Sequence, residues 1–402
     1  MKSLNERIEQ EKQRYLDYAN QNKGKHLYVY GAGKQGVPIA QFYKSQNIAV
    51  DGFCVTNLED NKEMIGGIPV YQLDRIPYSN EETAFVLGVR VQLNDELINL
   101  LSQNGYSNYC AASELVRYVG PYGYDFYTSP MMEITTQLGC AVNCKYCPQE
   151  VFVREYLRSE GAARSLSLND FKKCLDKLPS NTYVEFAGFT EPFFNPDCLD
   201  MIKYAASKSY KINLFTTLRG LKPEQLDELL KIDFTECVIH VPDIDSNAVI
   251  PITDEYMYML GRLVKARKSN GDNYIDYACA QGEVPEHIKN ILGKDTRIYV
   301  VLNDRAGNLK DDTLYCQKNI VGRIRCELAS DINHNVLLPD GRVLICSNDW
   351  GMKHVLGNLL LESYEELMSG EEAQRVRDDM NSVSGKYSLC RNCFQAICER
   401  KS

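Results

Sequence analysis

The chain has 402 residues, enough to build a large hydrophobic core and two or three domains. Its net charge of −9 argues against nucleic acid or an anionic membrane as the main partner. The 15 cysteines are clustered, which indicates chemistry or metal binding rather than a disulfide-rich secreted scaffold. The polar N-terminal stretch has helical periodicity and no apolar run typical of a signal peptide or membrane span, so we expect a cytoplasmic protein.

The N-terminal part of the chain has the pattern of a small α/β domain. After a first helix, KHLYVYGAGKQGVPIA passes from an apolar strand through Gly31, Gly33 and Gly36 into a second helix. Such a turn can place a pyrophosphate at the helix N-terminus. The acid that binds ribose in NAD-binding domains is absent from the end of the next strand, VDGFCVTN. We expect residues 1–118 to form a Rossmann-like domain that either binds a nucleotide or has a structural or partner-binding role.

A parallel sheet is predicted in the middle of the chain. The segment 119–130 breaks all periodicity and is predicted to be a linker. Between residues 131 and 311, six apolar runs alternate with helical patterns: MMEITTQL, TYVEFAGF, KINLFTT, ECVIHVP, YIDYACA and TRIYVVLN. This alternation predicts parallel strands, either open or curled into a partial (β/α)6 barrel, with the active site at the C-terminal ends of the strands.

Three cysteines follow the first of these strands. Cys140, Cys144 and Cys147 have the spacing CxxxCxxC. Thiolates bind both zinc and iron–sulfur clusters, but a structural zinc site closes with four protein ligands. A [4Fe-4S] cluster held by only three cysteines leaves one iron open to a small molecule. A zinc knuckle or three unrelated thiols is the alternative interpretation.

The spacing of these thiols and their place after the first strand resemble the radical SAM superfamily over residues 131–311. In that family, S-adenosylmethionine binds the open iron, and its reductive cleavage yields a 5′-deoxyadenosyl radical that abstracts a substrate hydrogen. The resemblance implies a [4Fe-4S] cluster on Cys140, Cys144 and Cys147. It also implies that five residues contact S-adenosylmethionine: Tyr146, Gly188, Glu191, Thr216 and Thr217.

Two features of this resemblance concern individual side chains. In AGFTEP, Phe189 replaces the second glycine of the family's turn, whereas the Glu191 carboxylate could accept charge-assisted hydrogen bonds from an ammonium group. His240 and Asp243 follow the fourth strand, where His240 could be a proton carrier or a structural residue.

A second group of cysteines lies near the C-terminus: Cys326, Cys346, Cys390 and Cys393. By themselves they could form a structural zinc site. Beside a radical SAM core they resemble the SPASM extension or its one-cluster version, twitch, which implies one auxiliary [4Fe-4S] cluster in residues 312–402. RAGNL at 305–309 is similar to a sequence often found before such extensions. A full SPASM extension has seven cysteines, and the roles of Cys316 and Cys398 stay open.

These interpretations predict a radical SAM oxidoreductase or isomerase with S-adenosylmethionine and two [4Fe-4S] clusters. The segment IGGIPVYQLDRIP resembles Rossmann-like modules of surface-polysaccharide and nucleotide-sugar metabolism. We therefore expect oxidation or epimerisation of a sugar-like small molecule, including a nucleotide-linked one, with electrons from a partner such as flavodoxin or ferredoxin. Two alternatives remain: a peptide-modifying SPASM-type maturase, and a non-catalytic zinc-stabilised binding protein.

Overall fold

The computed structural model describes residues 4–398 except 34, 59–60, 62, 90, 114, 160, 294–295, 297, 301–302 and 310–318. The chain divides into two compact units, residues 1–128 and 129–402. None of the helices in the described part of the chain combines the length and apolar character needed to span a bilayer.

The first unit is a six-stranded sheet with helices on both faces. Its strands are β1 (His26–Tyr30), β2 (Gly52–Val55), β3 (Met64–Ile65), β4 (Ile68–Gln72), β5 (Thr83–Leu87) and β6 (Tyr109–Cys110). They lie in the order β3-β4-β2-β1-β5-β6, with only the β3–β4 pair antiparallel. The helices are α1 (Leu4–Gln21), α2 (Gly36–Ser45), α3 (Asn94–Gln103) and α4 (Pro121–Thr128).

Alternation along β1 explains why this sheet is covered twice. Leu27 and Val29 pack into one core with residues of α1 and α2, whereas Tyr28 and Tyr30 pack into a second core with residues of α3. A strand that is apolar on both faces is typical of a parallel sheet covered by helices. The Rossmann-like organisation expected from the sequence is therefore confirmed.

The stretch that we expected to be a linker contains α4 instead of an irregular segment. Pro121 is the first residue of this helix, a position where its fixed backbone angle is favourable and its missing N–H costs nothing. The irregular connection is consequently short.

The second unit is built on a nine-stranded sheet. Its six parallel strands are β7 (Met131–Ile134), β8 (Tyr183–Phe186), β9 (Lys211–Thr216), β10 (Glu236–His240), β11 (Tyr277–Ala280) and β12 (Ile298–Val300). They pair in sequence order, and all six predicted runs form strands. The helices among them are α5 (Gln149–Tyr156), α6 (Leu168–Leu175), α7 (Cys198–Ser207), α8 (Leu226–Leu229), α9 (Asp254–Lys265) and α10 (Glu286–Leu292).

The C-terminal segment continues this same sheet beyond β7. Its elements are β13 (Ile324–Cys326), β14 (His334–Leu337), β15 (Arg342–Leu344), β16 (Val355–Asn358), α11 (Tyr364–Ser369), α12 (Glu371–Asn381) and β17 (Ala396–Cys398). Strand β14 pairs in parallel with β7, and β15 and β16 follow in antiparallel order. Strands β13 and β17 form a separate antiparallel pair. The edge of β7 is thus covered by residues about 200 positions away in sequence.

The two faces of the six parallel strands differ in chemistry. One residue in two, such as Ile134, Phe186 and Leu214, packs into the apolar core with α6, α7 and α9. Because side chains alternate along a strand, the residues between them point to the opposite face, which we call the inner face. The C-terminal ends of the strands and the inner face together position the site.

Candidate functional site

The first three thiols lie in the loop that follows β7. Cys140, Cys144 and Cys147 are half-buried, and the loop turns through Asn143, whose φ of 48° is left-handed. The N–H of Cys147 donates to the carbonyl of Cys144 at 3.0 Å. A hydrogen bond from the Cys144 thiol outweighs burial and, with the charge of Arg305, lowers the pKa of Cys147 to about 7. The three thiols therefore lie within electrostatic reach of each other.

The backbone around these thiols suits anionic sulfur. The Glu191 N–H donates to Cys140 Sγ at 3.3 Å, and the Val142 N–H is a second donor to the same sulfur. Such donors favour a thiolate, the form that binds metal. Among the described residues, no three His, Cys, Asp or Glu side chains already converge on one point as a bound ion requires. The fit to a cluster rests on donor type, proximity and N–H···S bonds.

The structure brings Glu191, Thr216 and Thr217 together beside Cys140. One Glu191 oxygen accepts from the Thr216 hydroxyl at 2.6 Å, and the other accepts from the hydroxyl and the N–H of Thr217, both at 2.6 Å. The Phe193 N–H also reaches the first oxygen at 3.4 Å. A carboxylate has about four acceptor sites. As it stands, Glu191 holds the turn after β9, and its direct contact with an ammonium group stays a prediction.

Gly188 and Phe189 connect this turn to the strands below it. Gly188 has a φ of 60°, and a Cβ there would lie 2.4 Å from Thr135 Oγ1, so the position requires glycine. Phe189 is buried, with its ring centroid 4.4 Å from that of Trp350 and 4.6 Å from that of Phe152. The substitution of the family's second glycine by Phe189 thus fills an aromatic cluster between the parallel strands and the C-terminal segment.

The remaining predicted residues of this site have different surroundings. Tyr146 lies in the thiol loop, half-buried, with the Lys145 ammonium 5.4 Å from its ring centre. Burial and the charge of Arg305 lower the pKa of His240 to about 4, so this imidazole is neutral at physiological pH. Asp243 accepts hydrogen bonds from the backbone of Asp245, Asn247 and Ala248. These contacts make Asp243 an organiser of its own loop.

The thiols of the second group also lie close together. Cys346 lies within electrostatic reach of Cys390 and Cys393, and both of these lie within reach of Cys326. The backbone N–H groups of Leu328 and Gln395 donate to the sulfurs of Cys326 and Cys393 at 3.4 Å. Four thiols with N–H donors fit a fully ligated iron–sulfur cluster as well as a zinc ion.

Of the two leftover cysteines, the structure describes only Cys398. Cys398 is exposed and donates to the carbonyl of Val321 at 3.3 Å. Cys316 lies outside the described residues.

The glycines of the first unit pack tightly in the connections that follow β1 and β5. A Cβ on Gly36 would lie 1.8 Å from the carbonyl oxygen of Gly31, and one on Gly31 would lie 2.5 Å from that of Gly88. Gly33 has open space around it. Gly31 and Gly36 are thus needed for packing, and nucleotide binding by this loop stays a prediction.

Comparison with known families identifies the C-terminal segment. Residues 326–394 match the family model of SPASM, an iron-sulfur cluster-binding domain. The match begins at Cys326 and ends one residue after Cys393, so it contains all four thiols of the second group. This segment is a SPASM domain. The CxxxCxxC loop at the end of β7 and this C-terminal domain together have the arrangement expected of a radical SAM enzyme, and an iron–sulfur cluster is the group that the matched domain binds.

The chain is distantly similar to several solved structures. The chain is 14% identical to BtrN in complex with AdoMet and 2-DOIA, covering 63% of this chain and 88% of that one, with a TM-score of 0.42. It is 10% identical to Streptococcus suis SuiB bound to precursor peptide SuiA, covering 71% and 79%, with a TM-score of 0.41. Similarity at this level does not identify a substrate. No curated protein matches the chain.

Arg305 links the parallel strands to the SPASM domain. Arg305 and Ala306 both have left-handed backbones, with φ of 50° and 54°. In the same turn, Asn308 donates to the carbonyls of Arg305 and of Asn348 in the SPASM domain, at 2.8 and 3.0 Å. The Arg305 guanidinium acts electrostatically on Cys144 and Cys147 of the first group. Its sequence, RAGNL, resembles one found before SPASM extensions, but nothing in that motif predicts that Arg305 lies near the first group of thiols.

Sequence reasoning missed one set of residues altogether. Four polar side chains occupy the inner face at one level of four neighbouring strands, and we call them the polar row: Glu133, Glu185, Asn213 and Glu236. Glu133, Glu185 and Asn213 each lie between two residues of the apolar core, and Glu236 begins its strand next to Cys237 of that core. Polar residues at alternate positions of buried strands were the available signal.

Proposed function

We propose that this chain is a radical SAM enzyme that acts on a sugar-like small molecule, including a nucleotide-linked one. The chemistry supplied by its cofactors is reductive cleavage of S-adenosylmethionine to a 5′-deoxyadenosyl radical, which abstracts a substrate hydrogen. The observation that carries the proposal is the junction of Cys140 with the Glu191 turn, since it joins the cluster-type thiols to the hydroxyls expected to contact the cofactor.

Within this proposal, each group of residues has a defined task. Cys140, Cys144 and Cys147 would hold the first cluster, which supplies the electron for the cleavage of S-adenosylmethionine. Glu191 orients Thr216 and Thr217 by accepting hydrogen bonds from both residues. Gly188 allows the backbone of the turn after β8 to lie close to Thr135. Tyr146 remains the candidate contact for adenine.

The SPASM domain would hold an auxiliary [4Fe-4S] cluster on Cys326, Cys346, Cys390 and Cys393. With four protein ligands, such a cluster has no open iron, so it suits electron acceptance or shaping of the substrate chamber. Acceptance of an electron from a substrate radical would favour oxidation over epimerisation. A soluble electron donor such as flavodoxin or ferredoxin is the partner that we propose for the first cluster.

A small polar substrate is favoured over a peptide by the inner face. Below the thiol loop this face carries the polar row, three of whose four residues are buried: Glu133, Glu185 and Asn213. Buried carboxylate and amide groups bind hydroxyl-rich molecules more readily than apolar peptide side chains. A peptide-modifying activity remains the rival, because the SPASM domain by itself is compatible with it.

The proposal is tested with anaerobically purified and reconstituted protein. We expect a low-potential iron–sulfur spectrum and formation of 5′-deoxyadenosine on reduction with S-adenosylmethionine, and loss of that product in Cys144→Ala. Cys398→Ala is the matched control, since its thiol is exposed and outside both groups. Product formation by Cys144→Ala at the wild-type rate, or protein that holds zinc and no iron, would refute the proposal.

The substrate class has its own experiment. The reduced enzyme is incubated with candidate nucleotide-sugars and candidate peptides, and the products are measured by mass spectrometry. A peptide that loses two hydrogens would replace the sugar assignment with the maturase assignment. Binding of the nucleotide alone is measured separately and shows whether the first unit binds a nucleotide.

A further inference from the structure

We infer that the polar row is the floor of the substrate site and that it binds a hydrogen-bond donor group, a hydroxyl or an ammonium, of a small substrate. This inference rests on the proposed function and adds which end of the substrate enters first. An anionic group such as a carboxylate or phosphate would have to face the other way.

The register of the sheet fixes the row. Glu133 of β7 pairs with Glu185 of β8, Glu185 pairs with Asn213 of β9, and Asn213 pairs with Glu236 of β10. The neighbours of these residues, among them Met132, Val184, Ile212 and Cys237, belong to the apolar core on the other face. Since side chains alternate along each strand, all four polar side chains project from the inner face.

Side-chain contacts connect the residues of the polar row to one another and to the side chains around them. Asn213 Nδ2 donates to Glu185 Oε2 at 3.1 Å. The Tyr277 phenol hydrogen-bonds Glu236 and lies within electrostatic reach of Glu185. At one end of the row, Glu133 accepts hydrogen bonds from Ser347 and from the Gly188 backbone. The row thus extends beneath the Gly188 turn to the SPASM domain.

One atom of the row points to a ligand. Asn213 is fully buried, and its Oδ1 has no hydrogen-bond partner among the described residues. A buried acceptor without a donor costs about 1–3 kcal/mol, so such atoms are rare unless something binds there. The amide orientation is set by the bond from Nδ2 to Glu185, which leaves Oδ1 to accept.

The surroundings of Asn213 Oδ1 select the chemistry of the ligand. Glu185 and Glu236 flank Asn213, so a group that enters here meets acceptors on both sides. Hydroxyl and ammonium groups donate to such acceptors, whereas a carboxylate or phosphate would be repelled. Lys211 lies on the same face and donates to the Tyr183 hydroxyl at 3.3 Å, and Arg305 acts electrostatically on Glu133 at the other end of the row.

The test uses three sugars of one size: glucose, glucosamine and glucuronate. Binding to the anaerobically purified holoprotein is measured by ligand-observed NMR. We expect glucose or glucosamine to bind at least about tenfold more tightly than glucuronate. Asn213→Leu removes the orphan acceptor and should weaken the binding of the preferred sugar about tenfold. Glu236→Gln keeps the shape of the side chain and should weaken glucosamine more than glucose.

The control variant changes a carboxylate outside the polar row. Glu228→Gln changes an exposed carboxylate of α8 that pairs with Lys203 and Lys231, and it should leave binding unchanged. Preference for glucuronate, binding by none of the three sugars, or unchanged binding in both row variants would overturn the inference. Formation of 5′-deoxyadenosine is measured separately, so failure of the proposed function would be recognised as a different result.

Discussion

Arg391 Nε donates a hydrogen bond to Asp379 Oδ2 at 3.1 Å, and both side chains are almost completely buried. Arg391 is one of the two residues between Cys390 and Cys393, and its guanidinium also donates to the carbonyls of Ile320, Gly322 and Ser382. Hydrogen bonds that include those from Tyr387, Ser388 and Arg391 outweigh the effect of burial and lower the pKa of Asp379 to about 2. This ion pair fixes the loop that presents two thiols.

Asp379→Asn should therefore destabilise the SPASM domain strongly. Removing one charge of a buried pair leaves the other unpaired, which costs about 3–5 kcal/mol. Urea unfolding measures the loss, and iron content reports whether the loop still binds its cluster. Asp331→Asn is the matched control, because its pair with Arg377 is partly exposed and should contribute about 1 kcal/mol or less. Equal losses for the two variants would contradict the assigned role of the buried pair.

Cys346→Ala should remove one cluster and spare the other. Cys346 belongs to the SPASM thiols, and Cys140, Cys144 and Cys147 lie in a separate loop. Iron analysis is expected to fall from about eight to about four atoms per chain, with 5′-deoxyadenosine formation retained. Substrate turnover should be lost. If all iron disappears, the two sites are not independent in folding.

His240 predicts a pH dependence of stability. Its folded pKa of about 4 lies below its ordinary value of 6.5, so the folded state resists protonation. The contribution of the neutral His240 side chain to the free energy of unfolding is complete above about pH 6.5 and is lost as the pH falls toward about 4. We expect a loss of about 1–2 kcal/mol at about pH 5, and a smaller loss in His240→Gln. Urea unfolding at about pH 6.5 and at about pH 5 checks this. His287→Gln, which changes an exposed histidine, should retain the wild-type dependence of stability on pH.

Phe189→Ala should weaken the junction between the parallel strands and the SPASM domain. The buried ring contacts Trp350 and Phe152, and truncation of a buried phenylalanine costs about 3–5 kcal/mol. Phe194→Ala, in the same segment but partly exposed, should cost less. Denaturant unfolding compares them. A larger loss for Phe194→Ala would show that the aromatic cluster is not the main contact here.

Two glycines of the first unit should respond differently to alanine. Gly36→Ala places a methyl group against the Gly31 carbonyl, and overpacking of this kind costs about 1–3 kcal/mol or more. Gly33→Ala meets open space and should leave the stability unchanged. If the loop binds a pyrophosphate, Gly33→Ala should weaken the binding of UDP without loss of stability, measured by calorimetry. Unchanged UDP binding would argue for a structural role.

The sequence was most informative where a signal is local. Periodicity located all six parallel strands, and the three cysteines Cys140, Cys144 and Cys147 lie, as expected, in the loop that follows the first of them. The periodic segment LKPEQLDELLKI is helical over a 3-10 turn at Pro223–Gln225 and the single turn of α8 that follows it directly.

Long-range relationships were not predictable in this way. The pairing of β14 with β7 joins segments about 200 residues apart and leaves no periodic trace. Arg391 stands in the polar sequence CRNC, where a solvent-exposed position is the ordinary expectation. The polar row requires the register of four strands, which follows from tertiary packing rather than from any one strand.

The pairing of β14 with β7 has a consequence for any attempt to dissect the protein. Strand β7 leads into the CxxxCxxC loop, and without the C-terminal segment its backbone N–H and C=O groups along one side would lie open. Bare strand edges recruit other chains and promote aggregation. The segment that contains the six parallel strands should therefore be insoluble when expressed alone, and we expect the CxxxCxxC loop to become ordered only when the C-terminal hairpin has paired with β7.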